Sequence, residues 1–323
     1  MSDNRAARGH PRVALITCAA LPELDPDDRL LRGALAERGI RAEPAVWDAA
    51  DLDWTGYRLA VLRSPWDYPP RRDEFVAWAA TVPGLATPVD LVRWNTDKRY
   101  LRDLAAAGLP TVPTSWLGPD ALWRAPDRGE YVVKPVVGVG SLDAGRYDLA
   151  DAEHRRLAAA HVRRLQAAGR PAMVQPYLTA VDTAGETALL FIAGPDGLGF
   201  SHAVRKGPML VGPDYGTDGL YRPEQITART PSEAELVVAG RALAALPGGA
   251  DRLLYARVDL IPGPDGAPVL LELELTEPSL FLAHAEGAAE RLADAITLRV
   301  GADRRPDAAL GDAGSGINPR LRP

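Results

Sequence analysis

The sequence has almost no cysteine, since Cys18 is the single one among 323 residues. The chain therefore cannot form an internal disulfide or a cysteine-rich metal centre. It also has no apolar stretch long enough to cross a bilayer, and residues 1–12 are too polar for a signal peptide. Positive charge is not in excess, because 37 Lys and Arg face 43 Asp and Glu. These features predict a cytoplasmic protein whose partner is neither nucleic acid nor a membrane.

The first part of the chain alternates between two kinds of pattern. Short apolar runs at residues 13–17, 41–47 and 59–62 predict buried strands, and residues 29–38 and 74–80 have helical spacing. Strands that alternate with helices are typical of a small parallel α/β domain. In such a domain the loops after the strands face a ligand.

The rest of the chain predicts a mixed α+β arrangement with antiparallel strands. Residues 253–261 and 268–275 flank a Gly-Pro-Asp-Gly turn and predict a hairpin. The overall prediction is an α/β (α+β) fold with the following parts. They are a disordered N-terminus (1–12), an N-terminal parallel α/β domain (13–95), a small lid subdomain (96–178), a C-terminal antiparallel-sheet domain (179–301) and a disordered tail (302–323).

Two lysines and a glycine-rich loop are candidates for phosphate binding. Lys134 ends an apolar run, where a buried ammonium needs an anionic partner, and Lys98 lies on a separate segment. The loop Gly138-Val139-Gly140-Ser141 follows Lys134 closely. Glycines allow backbone amides to approach phosphate oxygens. Taken alone, the loop is better explained as a plain tight turn between strands.

A second candidate is the end of an apolar strand, Gln175-Pro176-Tyr177-Leu178. Its backbone groups can pair with an adenine ring, and its side chains can form apolar walls. Downstream, Glu186 and Asp182 compete for the role of a ribose ligand. An ordinary strand exit remains the plainer interpretation.

The third candidate is a group of charged residues on the predicted hairpin. Arg257 and Asp259 lie two apart on one strand, as do Glu272 and Glu274 on the other, so each pair shares a face. Clustered carboxylates repel one another unless cations neutralise them, and Mg²⁺ prefers such oxygen ligands. Asp259, Glu272 and Glu274 are therefore predicted metal ligands. A hairpin with one polar, solvent-facing side would show the same alternation.

In this order, these residues resemble the ATP-grasp superfamily over roughly residues 98–300. The resemblance implies an ATP-grasp fold in which ATP and Mg²⁺ are bound between the lid and the C-terminal domain. It assigns Lys98 and Lys134 to the phosphates, Gln175 to Leu178 to adenine, and Arg257 and Lys134 to catalysis. Glu274 stands where the superfamily usually has asparagine. A shifted register would make Glu277 a further ligand.

Longer strings at residues 63–68, 93–98, 201–204 and 272–279 resemble the group that contains the O-ureidoserine cyclo-ligase of cycloserine biosynthesis. The implied activity is an ATP- and Mg²⁺-dependent carboxylate–amine ligase that acts through an acyl phosphate on a small amino-acid-like substrate. Three alternatives stay open at this point. They are an amino-acid or dipeptide ligase with another acceptor, a phosphotransferase that stops at a phosphorylated product, and a nucleotide-binding module without turnover.

The predicted substrate contacts are charged residues near strand ends. An amino-acid substrate needs a cation for its carboxylate and an acid for its ammonium group. Arg63, Asp67 and Tyr68 follow a strand of the first domain, and Arg205 and Lys206 follow a strand of the last one. The partner is therefore a small-molecule carboxylate, and a homodimer is left open as the oligomeric state.

Overall fold

A computed structural model describes residues 10–214 and 219–302 of the chain. The predicted disordered ends lie outside these ranges except for residues 10–12 and 302. The described residues form three sheets with helices packed on them, in agreement with the predicted mixed α/β class. Within the described ranges, no helix is both long and apolar enough to cross a membrane.

The first sheet is parallel, with the strand order β2-β1-β3. Its strands and helices are β1 (Arg12–Thr17), α1 (Pro26–Glu37), β2 (Arg41–Val46), β3 (Leu59–Ser64), α2 (Arg72–Ala79) and α3 (Val89–Asn95). Helix α1 begins earlier than predicted, because the Asp25 side chain caps the Asp27 amide and Pro26 suits the first turn. All six residues of β3 are buried, as expected for a strand covered on both faces.

The second sheet is antiparallel, with the order β4-β7-β5-β6. It is preceded by α4 (Tyr100–Ala106) and consists of β4 (Ser115–Leu117), β5 (Glu130–Pro135), β6 (Gly145–Asp148) and β7 (Ala172–Pro176), with α5 (Ala152–Ala167) packed on it. Strand β6 has no sequence signature, because its four residues include only one large apolar side chain, Tyr147. It forms because β5 offers an edge with which it can pair.

The third sheet is also antiparallel, with the order β10-β9-β8-β11-β12. Its elements are α6 (Val181–Ala184), β8 (Glu186–Gly194), β9 (Gly197–Lys206), β10 (Ile226–Arg229), α7 (Glu233–Ala244), β11 (Tyr255–Pro262), β12 (Pro268–Glu274) and α8 (Ala288–Ala302). The predicted hairpin is present as β11 and β12. The predicted last helix, 283–300, begins later, because Phe281 has a left-handed backbone (φ 50°) and residues 282–284 form a separate short turn.

One apolar core joins the first and third sheets. Leu15 of β1 and Leu31 of α1 belong to the same buried cluster as Leu190 of β8 and Ile296 of α8. This shared core places the loops after β1 and β3 against the segment that follows β12.

Candidate active site

A cleft of about 710 Å³ opens between the sheets and is lined by residues from all three. Ligand sites for small molecules are concave and of this size. The cleft brings together most of the predicted nucleotide and metal residues. They are Lys98, Lys134, Gly138 to Ser141, Gln175 to Leu178, Glu186, Arg257, Asp259, Glu272 and Glu274.

Glu272 is the point at which the two predicted lysines meet. Lys134 Nζ lies 2.6 Å from Glu272 Oε1, and Lys98 Nζ lies 3.1 Å from Oε2. Lys98 Nζ also donates to the carbonyl of Gly138, at 3.1 Å. Burial opposes the ionisation of Glu272, but the two lysines outweigh it and hold the pKa of Glu272 below its ordinary value.

The hairpin places the other charged residues on the same face. Arg257 pairs in register with Glu274, and Asp259 with Glu272, so all four side chains project from one side of the sheet. The Arg257 guanidinium donates to Asp259 Oδ2 at 2.8 Å and also to Glu274 Oε1. The predicted convergence of Arg257 and the three carboxylates on one face is therefore confirmed.

A third lysine, which is buried, lies beside this group. Lys206 Nζ is 2.7 Å from Glu186 Oε1, 3.4 Å from Glu224 Oε1 and 3.7 Å from Asp259 Oδ2. Burial alone would lower the pKa of Lys206, but the carboxylates around it raise that pKa above its ordinary value. Burial raises the pKa of Glu186, and Lys206 offsets this only in part. Glu186 is thus engaged by a lysine at the cleft wall.

The three predicted metal ligands are each paired with a cation of the protein. Within residues 10–214 and 219–302, no three His, Cys, Asp or Glu side chains are grouped so as to hold a metal ion. Asp259, Glu272 and Glu274 still form a set of carboxylate oxygens on one face, which is the donor chemistry that Mg²⁺ prefers. The chemistry of these donors thus fits Mg²⁺, while in this structure each carboxylate is held by a cation of the protein.

The glycine loop forms one wall of the cleft. Gly140 has a positive φ of 59°, and its carbonyl accepts a hydrogen bond from the Arg222 amide at 3.0 Å. A β-carbon at Gly140 would lie 2.5 Å from the Tyr221 β-carbon and 2.7 Å from the Leu220 carbonyl oxygen. Glycine is therefore required both for the backbone angle and for the close packing against residues 220–222.

The predicted adenine-binding segment ends β7 at the cleft. Gln175 to Leu178 line the cleft, and the buried Gln175 side chain donates to Thr114 Oγ1 at 2.9 Å. Arg146 packs 3.7 Å from the centre of the Tyr177 ring, and the Tyr177 hydroxyl donates to Asp182. Asp182 also pairs with Arg146 at 3.0 Å and is not among the cleft-lining residues. Of the two rival ribose ligands, only Glu186 reaches the cleft.

The structure divides the predicted substrate residues into two groups. Tyr68 and Lys206 line the cleft. Arg63 lies behind it, where it is fully buried and pairs with Asp28 at 2.7 Å. Asp67 accepts from the Trp47 indole and pairs with Arg71. The Arg205 guanidinium donates to the carbonyls of residues 183 and 184. Arg63, Asp67 and Arg205 therefore do not line the cleft.

Several cleft residues were missed as substrate or positioning groups. Glu277 was considered only as a metal ligand, but it accepts from the Tyr68 hydroxyl at 2.8 Å. Asn95 lies in the string at residues 93–98, and the sequence assigned no role to it. It donates to the Leu273 carbonyl at 2.7 Å and accepts from the Leu275 amide at 2.8 Å, which fixes the end of β12. The sequence signal for this role was the position of Asn95 within the string at residues 93–98.

Comparison with known proteins defines the class of this fold. The structure superposes on a crystal structure of D-cycloserine synthetase DcsG with a TM-score of 0.78 and 39% identity, over 90% of this chain and 99% of the other. It also matches the ATP-grasp ligase PsnB, solved with a precursor variant, Mg and ADP. That match has a TM-score of 0.57 and 19% identity, over 91% of this chain and all of the other. The fold is that of the ATP-grasp ligases, which form C–N bonds.

The sequence comparisons are more specific. The family model for the N-terminal domain of D-cycloserine synthetase DcsG matches residues 13–91. The cycloserine biosynthesis protein DcsG of Streptomyces lavendulae is 42% identical over 303 residues, which cover 89% of this chain and 98% of the relative. The chain therefore belongs to the DcsG family of ATP-grasp ligases.

Proposed function

We propose that this chain is an ATP- and Mg²⁺-dependent ligase that activates the carboxylate of a small amino-acid-like substrate as an acyl phosphate. A nitrogen atom of the same substrate then attacks the acyl carbon, the bond from that carbon to the phosphate oxygen breaks, and inorganic phosphate leaves as the ring closes. O-Ureidoserine is the proposed substrate, because the DcsG relative that is 42% identical is named for cycloserine biosynthesis. The quoted strings that resemble the cyclo-ligase group contribute Tyr68 and Glu272 to the cleft.

The observation that carries the proposal is the position of Glu272 between two lysines. Both ammonium groups lie within 3.1 Å of one carboxylate in the cleft. Phosphate oxygens are the natural alternative partners of these lysines, since ammonium groups act as point charges for phosphate. When phosphates engage Lys98 and Lys134, the Glu272 carboxylate becomes available as a metal ligand beside Asp259.

Each charged residue then has a definite role in phosphoryl transfer. Lys98 and Lys134 offset the charge of the phosphates, and Arg257 offers its guanidinium to the group in transfer. Asp259, Glu272 and Glu274 would hold Mg²⁺, which supplies neutralisation of the charge that develops on phosphate oxygens. Catalysis of this kind rests on positioning and charge more than on covalent chemistry by the protein.

The other cleft walls bind the nucleoside and exclude water. Pro176 to Leu178 present the strand end to adenine, and Glu186 faces the ribose. The glycine loop covers the phosphates, with its backbone held against residues 220–222 by the Gly140 carbonyl. Excluding water is required because an acyl phosphate is readily hydrolysed.

The substrate contacts are proposed to come from Tyr68 and Lys206, which line the cleft. Arg63, Asp67 and Arg205 act from behind it, by holding the loops that carry the cleft residues. Arg63 donates to the Pro278 carbonyl at 3.2 Å, which supports the segment after β12.

The test is a turnover assay of the purified chain with ATP, Mg²⁺ and each enantiomer of O-ureidoserine. ADP is followed by a coupled assay, and the product is analysed by mass. We expect ADP release that depends on the amino acid, together with a cyclic product. Glu37→Gln, at an exposed site on α1, serves as an unaffected control variant.

Two outcomes would contradict the proposal. If no amino acid stimulates ADP release, the proposal of an amino-acid-like carboxylate as substrate is wrong. If the product is a stable phosphorylated compound with no new C–N bond, the proposal of ring closure is wrong.

A further inference from the structure

Among the described residues, five carboxylates in the cleft form ion pairs with a lysine or arginine, whereas Glu277 does not. The paired ones are Glu186, Glu224, Asp259, Glu272 and Glu274. In the described part of the chain, no lysine or arginine forms an ion pair with Glu277, although Glu277 lines the same cleft. Its side chain is held instead by the neutral hydroxyl of Tyr68, which donates to Oε1 at 2.8 Å.

Glu277 is held in place from several sides. The Tyr68 ring is buried and stacked on Phe75, with 4.7 Å between ring centroids, which fixes the hydroxyl. The Trp66 indole donates to the Glu277 backbone carbonyl at 3.0 Å. The Trp66 ring also meets Tyr221 edge-on at 5.3 Å, and both rings line the cleft. A fixed carboxylate thus lies in a wall that is rich in aromatic rings.

Asp25 and Asp27 also line the cleft without an ion pair in the described part of the chain, but their side chains accept hydrogen bonds from backbone amides. Asp25 caps α1 by accepting from the Asp27 amide at 3.0 Å. Asp27 accepts from the Ala283 amide at 3.0 Å. One oxygen of each accepts from a backbone amide, although the buried Oδ2 of Asp27 has no partner in the described residues. By contrast, no backbone amide of those residues donates to the Glu277 side chain.

The Glu277 carboxylate is largely shielded from water and has no ion-paired cation among the described residues, so its charged form is disfavoured and its pKa is raised. Burial, with the nearby charge of Glu274, raises the pKa of Glu277 to about 7. The hydrogen bond from Tyr68 and the more distant charges of Lys98 and Arg257 oppose this rise only in part. A positive group beside Glu277 would relieve the cost, and aromatic faces such as those of Trp66 and Tyr221 attract cations as well.

We propose that Glu277, positioned by Tyr68, binds a protonated amino group of the substrate and restricts the enzyme to amino-acid-like carboxylates. The inference rests on the proposed function, because it assumes a carboxylate substrate in this cleft. The carboxylate to be activated faces the cations that handle phosphate, and the amino group faces Glu277. This contact replaces the one predicted for Asp67, which the structure places in a pair with Arg71.

The test compares O-ureidoserine with its amine-free counterpart, 3-(ureidooxy)propanoate, in wild type, Glu277→Gln and Glu37→Gln. Glutamine is isosteric and keeps an acceptor for Tyr68, so the variant retains the local packing. A charge-assisted hydrogen bond sets the expected scale, and wild type should prefer the amine by about 10- to 100-fold in kcat/KM. In Glu277→Gln the KM for O-ureidoserine rises by a similar factor, the ATP KM changes less than about twofold, and the preference is lost.

A second variant and a binding measurement keep the result unambiguous. Tyr68→Phe should weaken the preference by less than Glu277→Gln does, because the carboxylate remains but is no longer held. Calorimetric binding of both compounds is measured without ATP, so that absence of turnover does not hide the answer. Equal binding of the two compounds by wild type, or a preference that survives in Glu277→Gln, would overturn the inference. Wild type that binds the amine selectively without releasing ADP would overturn only the proposed function.

Discussion

At the scale of single residues, the site is built from buried charges that compensate one another. Removing a carboxylate or ammonium from water costs several kcal/mol, so each needs a partner close by. Arg257 serves Asp259 and Glu274, and two lysines serve Glu272. Under the proposed function, phosphates and a metal ion would take the place of some of these pairs.

Neutralising a single carboxylate of this network should stop the reaction. We expect Glu272→Gln or Asp259→Asn to lower the rate of ADP formation about a hundredfold or more, because each removes a charge assigned to the metal. Steady-state ADP release measures the effect, with Glu37→Gln as the matched exposed control. Wild-type rates in both site variants would refute the assignment.

Arg63 offers a prediction about stability. It is buried with Asp28 and packs 5.2 Å from the Tyr255 ring centre. Burial raises the pKa of Asp28 to about 6 even with the arginine present. Arg63→Ala leaves that carboxyl without its cation and should lower the free energy of unfolding by about 3–5 kcal/mol in urea titration.

Two comparisons define the Arg63 result. Arg58→Ala, at an exposed neighbouring position, should change stability by less than about 0.5 kcal/mol. Arg63→Met combined with Asp28→Leu should recover most of the loss, since an apolar pair replaces the ion pair. A stable Arg63→Ala protein with a raised substrate KM would instead place Arg63 in the substrate pocket.

At the scale of elements, the connections carry the site. The glycine loop between β5 and β6 packs on residues 220–222, and the segment after β12 is held by side chains from the first domain. Strands supply the framework, and the loops at their ends supply the cleft walls.

Gly140 tests the loop. Gly140→Ala would place a β-carbon 2.5 Å from Tyr221 at a backbone angle that alanine disfavours. We expect kcat/KM to fall at least about tenfold while the unfolding midpoint changes little, since the loop contributes little to the core. Gly240→Ala, on α7 with open space around it, should be neutral or slightly stabilising. Equal activity of the two variants would count against the loop's role.

The packing of α5 on the second sheet predicts a pH effect. His161 is buried, its Nδ1 lies 2.8 Å from the Tyr147 hydroxyl, and Nε2 has no hydrogen-bond partner in the described residues. Burial lowers the pKa of His161 to about 4, and the charge of Arg164 adds to this, although Asp143 and Asp214 oppose it. The folded state therefore disfavours protonation of His161. The contribution of the neutral His161 to the free energy of unfolding is full above pH 6.5 and is lost as pH falls toward 4.

Comparison with a variant isolates that effect. Between pH 7 and pH 5, wild type should lose about 2 kcal/mol more stability than His161→Gln, which stays neutral. Urea unfolding at both pH values measures the difference. Equal losses in the two proteins would show that His161 is not held neutral by burial.

At the scale of the whole molecule, the cleft exists only where three sheets meet. Helix α8 and helix α1 share a core, which joins the first sheet to the third. The second sheet closes the other side through Lys134 and the glycine loop. A nucleotide in the cleft would contact all of these parts at once.

Nucleotide binding should therefore slow exchange in loops that are far apart in sequence. We expect ATP with Mg²⁺ to reduce amide hydrogen exchange at residues 138–141 and at 220–222 together, because the two segments pack on one another. Exchange on the exposed face of α7 provides the internal control. Unchanged exchange in both loops would contradict closure over the phosphates.

The sequence predicted the elements with clear patterns and missed several short ones without such a pattern. Strands β1 and β3 were predicted from continuous apolar runs, and β11 was predicted from its place beside the Gly-Pro-Asp-Gly turn. Strand β10 was missed because Ile226 is its one large apolar residue, and pairing with β9 holds it in place. Helix α3 was missed because it follows a proline without a polar cap.

The sequence alone determined the inventory of the site: two lysines, a glycine loop and two strand pairs of charged residues. Periodicity of two put Arg257 and Asp259 on one face of their strand and Glu272 and Glu274 on one face of theirs, and the hairpin register placed the two pairs on the same side. The tertiary structure decided which charges face the cleft and which lie behind it. Arg63 and Tyr68 come from one loop, yet one is sealed against Asp28 and the other meets Glu277. Such partners are distant in sequence, so only the packing of separate elements brings them together.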